Sequence, residues 1–250
     1  MDDLFDVCNC EGTIEATQTI QTMPLIGDAA PQFYAQTTNG PIYFPNDLSG
    51  KWIVFFSHPA DFTPVCTSEF IRFQELKDQF NEMNTELVAL SVGAISSHLA
   101  WIDAISKMEG GIDIKFPIVA DTDMKIARAY GMIHDNASDT SAVRAVFVID
   151  PRGIIRTILY YPAIMGRNFT EVMRIIVGLQ TADAFKVAMP ADWLPGEDVL
   201  LPAPQTVEQM RKSDKKNNQR AWFMTYKKLA SDTIYNKLTQ KTKKSQSKKK

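Results

Sequence analysis

The chain of 250 residues is 45% hydrophobic and 22% charged with a net charge of −2, the balance of a soluble globular protein long enough to bury a large core. Three cysteines are too few for a disulfide framework and suit a reducing, cytoplasmic setting. No apolar run approaches the roughly 20 residues of a membrane span, and Met1-Asp2-Asp3 is acidic where a secretory leader would be basic.

The net charge conceals an asymmetry. Residues 211–250 hold 14 basic and 2 acidic residues, net +12, against net −14 for the remainder. Such a tail could meet an anionic surface, but residues 237–250 read first as a solvated, unstructured lysine-rich tail. No specific nucleic acid and no membrane is expected as a partner.

Residues 1–22 are polar and aperiodic, a flexible extension before an ordered domain that begins at Met23. Lys51–Ser57 is a buried strand by its continuous β-branched and aromatic content. Phe70, Phe73, Leu76 and Phe80 recur at three and four residues, the apolar face of a helix. Leu87–Val92 is a strand. Leu99, Ile102 and Ile105 mark a second helix, capped by Ser96 or Ser97. Phe116–Asp121 is a short strand, and Ile126–Tyr130 a short helix stopped by Gly131. Val143–Asp150 and Ile154–Tyr161 form a hairpin about Pro151-Arg152-Gly153, and Phe169–Leu179 is helical. This order implies an α/β domain over 23–182 with a mixed central β-sheet flanked by helices. Prolines at 190, 195, 202 and 204 then break residues 183–236 into an irregular C-terminal extension.

The chemistry concentrates where the first strand ends. The run His58-Pro59-Ala60-Asp61-Phe62-Thr63-Pro64-Val65-Cys66 feeds a proline-braced turn and places Cys66 in the first turn of a helix. Backbone N–H groups there favour negative charge, hence the thiolate. Thr63 lies three residues earlier, so its hydroxyl can approach the sulfur. Asp61 would oppose ionisation if it faced the sulfur, and is expected to point away. Arg144 interrupts an apolar strand; it is either an edge residue reaching solvent or a paired, functional guanidinium. Glu69 stands one turn after Cys66 and could hold Arg144 or Arg167. His58 either hydrogen-bonds near this turn or is a buried structural residue. His98 and His134 read as structural or surface residues, and no metal constellation stands out. Cys8 and Cys10 belong to a flexible segment, a tethered resolving thiol, or a weak metal pair.

These elements together resemble the peroxiredoxins, most closely the one-cysteine, peroxiredoxin-6-like branch. The resemblance rests on Pro59-x-x-x-Thr63-x-x-Cys66, the arginine-bearing strand at Arg144, Tyr160-Tyr161-Pro162 leading to Gly166-Arg167, and Met189-Pro190-Ala191-Asp192-Trp193. It implies a thioredoxin-like fold over 23–182 and a dimerisation arm over 183–236. The implied activity is thiol-dependent reduction of hydrogen peroxide and organic hydroperoxides through a cysteine sulfenic acid, serving antioxidant defence. Under it Cys66 is the peroxidatic cysteine, Thr63 and Arg144 activate it, Pro59 shields it, and Glu69 and Arg167 are the supporting ion pair. No cofactor or metal is implied. An external thiol is the reductant, because no cysteine follows Cys66. A homodimer, extending to a ring of ten, is the implied assembly. The alternative is a peroxide sensor or holdase chaperone. Asp47-Leu48-Ser49-Gly50-Lys51 lacks the glycines of the lipase element in some relatives, so that activity is not expected. Without a Cys-x-x-Cys pair, a disulfide reductase is not expected either.

Overall fold

The computed structural model describes residues 23–212 and 218–247. Strands β1 (Phe33–Thr37) and β2 (Gly40–Phe44) form an antiparallel pair. Strand β3 (Trp52–Ser57) leads into helices α1 (Pro64–Glu75) and α2 (Lys77–Glu82). Then β4 (Thr85–Ser91) is followed by α3 (Ile95–Lys107), and β5 (Ile118–Ala120) by α4 (Lys125–Ala129). The hairpin β6 (Arg144–Ile149) and β7 (Ile155–Tyr161) precedes the long helix α5 (Phe169–Phe185). The extension adds β8 (Val199–Leu200), α6 (Val207–Lys212), β9 (Asn218–Ala221), β10 (Met224–Lys227) and α7 (Ser231–Ser247).

Seven strands make one mixed sheet in the order β2-β1-β5-β4-β3-β6-β7, with β3 parallel to β4 and antiparallel to β6. All six residues of β3 are buried, because helices cover one face and an aromatic layer the other. Trp52, Val54 and Phe56 pack with α1, α3 and α5, whereas Ile53 and Phe55 pack with Phe44, Tyr130 and Phe147. This two-sided burial explains why β3 reads as one unbroken apolar run.

Three elements depart from the sequence expectation. The stripe expected for α3 holds at Ile105 but is one position late before it: Leu99 is exposed and Ile102 half-buried, and the buried residues are His98, Trp101 and Ile105. Neither Ser96 nor Ser97 caps this helix; Ala94 holds that place, and the Ser97 hydroxyl is bonded to Asp61. The C-terminal extension is also more ordered than its prolines suggest. Strands β8, β10 and β9 form a small sheet, and Trp193, Val199, Leu229, Ile234 and Leu238 join the same apolar cluster as β3 and α1. Helix α7 runs through Ser247, so the lysine-rich segment expected to lack structure is helical over most of its length. Ile234 and Leu238, spaced four residues apart, dock that helix. No helix among the described residues is long and apolar enough to cross a membrane.

Candidate active site

Cys66 owes its position to the start of α1. Thr63 is the N-cap, in extended conformation at φ −102° and ψ 144°, and Pro64 opens the helix, where a missing N–H costs nothing. The buried positions of α1 are Cys66, Glu69, Phe70 and Phe73, one stripe at three- and four-residue spacing. Phe70 and Phe73 anchor the stripe under the sheet, Phe73 stacking on Phe56 at 4.0 Å between ring centroids. Cys66 and Glu69 are carried inward with them. Before the helix, Phe62 takes a left-handed φ of 56° and stays exposed, a conformation that bulky side chains rarely adopt and that recurs at functional loops.

The second wall comes from the start of β6, which antiparallel pairing sets beside the end of β3. The guanidinium of Arg144 is buried, and its Nη1 donates to Cys66 Sγ at 3.2 Å and to Glu69 Oε2 at 2.7 Å. Its Nε and Nη2 both donate to the carbonyl of Ala163, at 3.1 and 2.8 Å. Arg167 completes the cluster from the loop after β7. Its Nη1 donates to Glu69 Oε2 at 2.6 Å, its backbone N–H to Glu69 Oε1 at 2.9 Å, and its Nη2 to the carbonyls of Ser57 and Ala145. Burial pulls the Arg167 guanidinium down to about 10, against the opposing pull of Glu69, and it remains charged at neutral pH. Of the two readings of Arg144, the paired one holds. Arg167 is buried as well.

A separate polar network lies on the α3 side. The Asp61 carboxylate accepts from Ser97 Oγ at 2.6 Å and bonds His58 Nε2 at 2.9 Å and His98 Nδ1 at 2.8 Å. Burial would raise Asp61, but these three hydrogen bonds hold its carboxyl well below the usual range. Burial drives His58 down to about 4, so it is neutral at pH 7 and donates its Nε2–H to the carboxylate. Gly93 makes room for this contact: a Cβ there would come within 2.8 Å of His98 Cε1.

The other expected residues have contacts of their own. The Thr63 hydroxyl donates to the carbonyl of Ala60 at 3.0 Å, since the extended N-cap directs it back over the turn. His58 is wholly buried and turns to Asp61, and Pro59 is half-buried beside it. Cys8 and Cys10 lie outside the described residues. His134 bonds the carbonyl of Gly131. Sequence reading missed His98 and Ser97 as partners of Asp61; the only signal was a histidine three residues before Trp101, on what proves to be the buried face.

His58, Asp61 and His98 present a two-histidine, one-carboxylate donor set within 4.8 Å, which sequence reading did not foresee. Metal-bound imidazoles usually donate their outer N–H to a supporting acceptor. Here the outer nitrogens, His58 Nδ1 and His98 Nε2, are buried without a hydrogen-bond partner among the described residues. As bare lone pairs they are tolerable; as N–H donors freed by a metal they would be unsatisfied. The donor set therefore fits a proton-bonded network better than a metal site.

Residues 26–158 match the AhpC/TSA family, and residues 178–215 match the C-terminal domain of 1-Cys peroxiredoxin. The chain is a peroxiredoxin. It is 52% identical to a peroxiredoxin of Methanosarcina mazei, over 82% of this chain and 98% of that one. With a peroxiredoxin of Aquifex aeolicus the identity is 46%, over 84% and 99%. Among solved structures, a yeast mitochondrial 1-Cys peroxiredoxin superposes with a TM-score of 0.75 at 38% identity, covering 83% of this chain and all of that one. A cysteine-to-serine mutant of peroxiredoxin 6 of Arenicola marina gives 0.74 at 33% identity, covering 82% and 98%. The mixed sheet flanked by helices is thus the thioredoxin-like fold of this family, carried with the one-cysteine C-terminal domain. As a peroxiredoxin the protein is a thiol-dependent peroxidase, acting on peroxides at the expense of thiol reductants.

The neutral His58 has a consequence for stability. Its folded pKa of about 4 lies below the unfolded value of 6.5, so the unfolded chain takes up a proton first as pH falls. The associated stability is whole above pH 6.5 and is lost progressively towards pH 4, by roughly 3 kcal/mol at most. Urea midpoints measured from pH 7.5 to 4 should fall across that window in the wild type and fall less in His58→Gln. Equal slopes in the two proteins would show that His58 is not held neutral.

Proposed function

We propose that Cys66 is the peroxidatic nucleophile and that Arg144, Thr63, Glu69, Arg167 and Pro59 make its chemistry possible. The observation that carries this reading is the 3.2 Å contact between Arg144 Nη1 and Cys66 Sγ inside a buried helix start. Arg144, Arg167 and Glu69 together carry net charge +1, which a thiolate at Cys66 neutralises. The reaction begins with attack of the Cys66 thiolate on the outer oxygen of a hydroperoxide. An S–O bond forms, the O–O bond breaks, and its electron pair leaves with the inner oxygen, which takes a proton to become water or an alcohol. Cys66 is left as a sulfenic acid.

Charge builds on both oxygens in the transition state, so donors fixed in place beforehand lower the barrier. Four of the five N–H groups of Arg144 are committed among the described bonds, to Cys66, Glu69 and Ala163, which leaves one Nη2 hydrogen for the substrate. Thr63 gives its only hydroxyl hydrogen to Ala60, so its oxygen acts as an acceptor and orients the outer O–H of the peroxide. Glu69 is a positioning group: it separates the two guanidiniums and points Arg144 at the sulfur. Pro59 limits water access from the turn.

Resolution is assigned to an external thiol, because no cysteine follows Cys66. That thiol attacks the sulfenic sulfur and releases water, and a second thiol attacks the mixed disulfide to regenerate Cys66. The solved structure of the yeast mitochondrial 1-Cys peroxiredoxin is described in terms of glutathione/thioredoxin systems, and thiols of that class are the proposed reductants here. The cysteine count supports residence in a reducing compartment. Dimerisation is supported by β7, which ends the sheet and, beyond the backbone bonds of Ile155 to Gly27 and Asp28, has no further strand beside it among the described residues, and by the relatives' shared extension.

Three outcomes test this reading. Cys66→Ser should abolish peroxide consumption, while the paired change Cys8→Ser and Cys10→Ser leaves the first oxidation rate intact in stopped flow. Peroxide turnover surviving in Cys66→Ser would end the proposal.

Arg144→Met should slow the first oxidation by roughly 100-fold or more, as when a transition-state donor is removed. It should also move the midpoint of iodoacetamide alkylation to higher pH. Arg144→Lys should recover only part of either effect, since a point charge cannot reproduce the planar fork. An alkylation profile that Arg144→Met leaves in place would separate the arginine from the sulfur's chemistry.

Deleting residues 1–22 should leave thiol-dependent turnover unchanged, and excess peroxide should drive Cys66 to sulfinic and sulfonic acids, read by intact mass. If the deletion stops recycling yet spares the first oxidation, Cys8 or Cys10 is the resolving thiol and the one-cysteine cycle is wrong.

A further inference from the structure

We propose that Ser57 is a positioning residue for the peroxidase reaction, its hydroxyl clamping the backbone turn that carries Arg144. The inference rests on the role given to Arg144 above and adds the group that aims it. The β3–β6 ladder pairs Ile53 through Phe56 with Ile149 through Val146 and stops there. One residue on, a side chain takes over from the backbone. Ser57 Oγ donates to the carbonyl of Val143 at 2.6 Å and accepts the N–H of Ala145 at 3.0 Å. The same Ala145 N–H also reaches the Val143 carbonyl, at 3.1 Å.

A contact from residue i+2 back to residue i defines a three-residue turn, and Arg144 is its central residue. The Ser57 hydroxyl therefore bridges both ends of the turn from which the catalytic guanidinium projects. Only a group that both donates and accepts can do this, and a hydroxyl does so through a single atom. Ser57 is wholly buried, so bulk water cannot stand in for it. Its carbonyl accepts from Arg167 Nη2, so the same residue holds the second arginine as well. Arg144 is a long lever: a small rotation of the turn is magnified at Nη1, where the 3.2 Å contact to Cys66 is made. Without the hydroxyl, Val143 and Ala145 still bond each other, so the protein should fold while the turn loses its clamp.

The experiment compares Ser57→Ala, Ser57→Thr, Arg144→Met and the double variant Ser57→Ala with Arg144→Met. Val148→Ala, in the packed part of the same strand as Arg144, is the control for simple destabilisation. Each is read by the stopped-flow rate of Cys66 oxidation and by the pH profile of alkylation. Ser57→Ala should slow oxidation by about 10-fold, the scale of a small misplacement of a catalytic group, and shift the profile to higher pH. Ser57→Thr, which keeps the hydroxyl, should restore the profile. Val148→Ala should lower the melting temperature and leave the profile in place. In the Arg144→Met background the Ser57 change should add nothing, because the two act as one unit.

A wild-type rate and profile in Ser57→Ala, or the same loss repeated on top of Arg144→Met, would overturn the proposal. If Ser57→Ala does not fold, Ser57→Thr decides: a wild-type profile supports the hydroxyl's role and a shifted one overturns it. Failure of the peroxidase assignment would look different, with wild type and Val148→Ala both unable to consume peroxide.

Discussion

A single buried carboxylate, Glu69, holds two buried guanidiniums, and the site is arranged around that fact. Removing an ion from water costs several kcal/mol, so neither Arg144 nor Arg167 could sit beneath the sheet without a partner of opposite charge. Both oxygens of Glu69 are in use, Oε2 by the two guanidiniums and Oε1 by the backbone of Arg167. Those contacts tie α1, the start of β6 and the loop after β7 into one rigid block. Cys66 lies one helical turn before Glu69 on the same buried stripe, so fixing the carboxylate fixes the sulfur. The cost of burying charge is thereby converted into a defined place for the Cys66 sulfur.

The parts of this arrangement that could be read from the sequence are those encoded by short-range pattern. Phe70 and Phe73 reveal the buried face of α1 and bring Cys66 and Glu69 with them. The hairpin β6–β7 follows from its proline–glycine turn, and Arg144 stands out because a charge in an apolar strand demands an explanation. The misses share a different origin. Asp61 and His98 are 37 residues apart and meet only through packing of α3 on the turn before α1. The stripe of α3 was misjudged because His98 counts as polar, whereas in place it is buried and bonded. Helix α7 was overlooked for a related reason: two apolar residues, Ile234 and Leu238, dock it despite the lysines around them. Side-chain direction was also illegible. Spacing set Thr63 beside Cys66 without showing that its hydroxyl donates to Ala60.

The same contacts explain how one turn accommodates an aspartate close in sequence to Cys66. An unpaired Asp61 would repel negative charge at Cys66 and attract the guanidiniums beside it. Instead its charge is taken up locally by Ser97 and two imidazoles, and burial keeps His58 neutral, so it donates a hydrogen bond without adding a competing cation. The β3–α1 turn is thus flanked by two networks with separate tasks. One is cationic and reaches the sulfur through Arg144; the other retains a carboxylate within its own hydrogen bonds to Ser97, His58 and His98. Ser57 and His58 are adjacent residues that serve these two networks in turn, Ser57 bonding the strand that bears Arg144 and His58 bonding Asp61. The end of β3 is where the two are kept apart. A displacement there would disturb both the aim of Arg144 and the containment of Asp61, which makes this strand end the point of greatest leverage on the surroundings of Cys66.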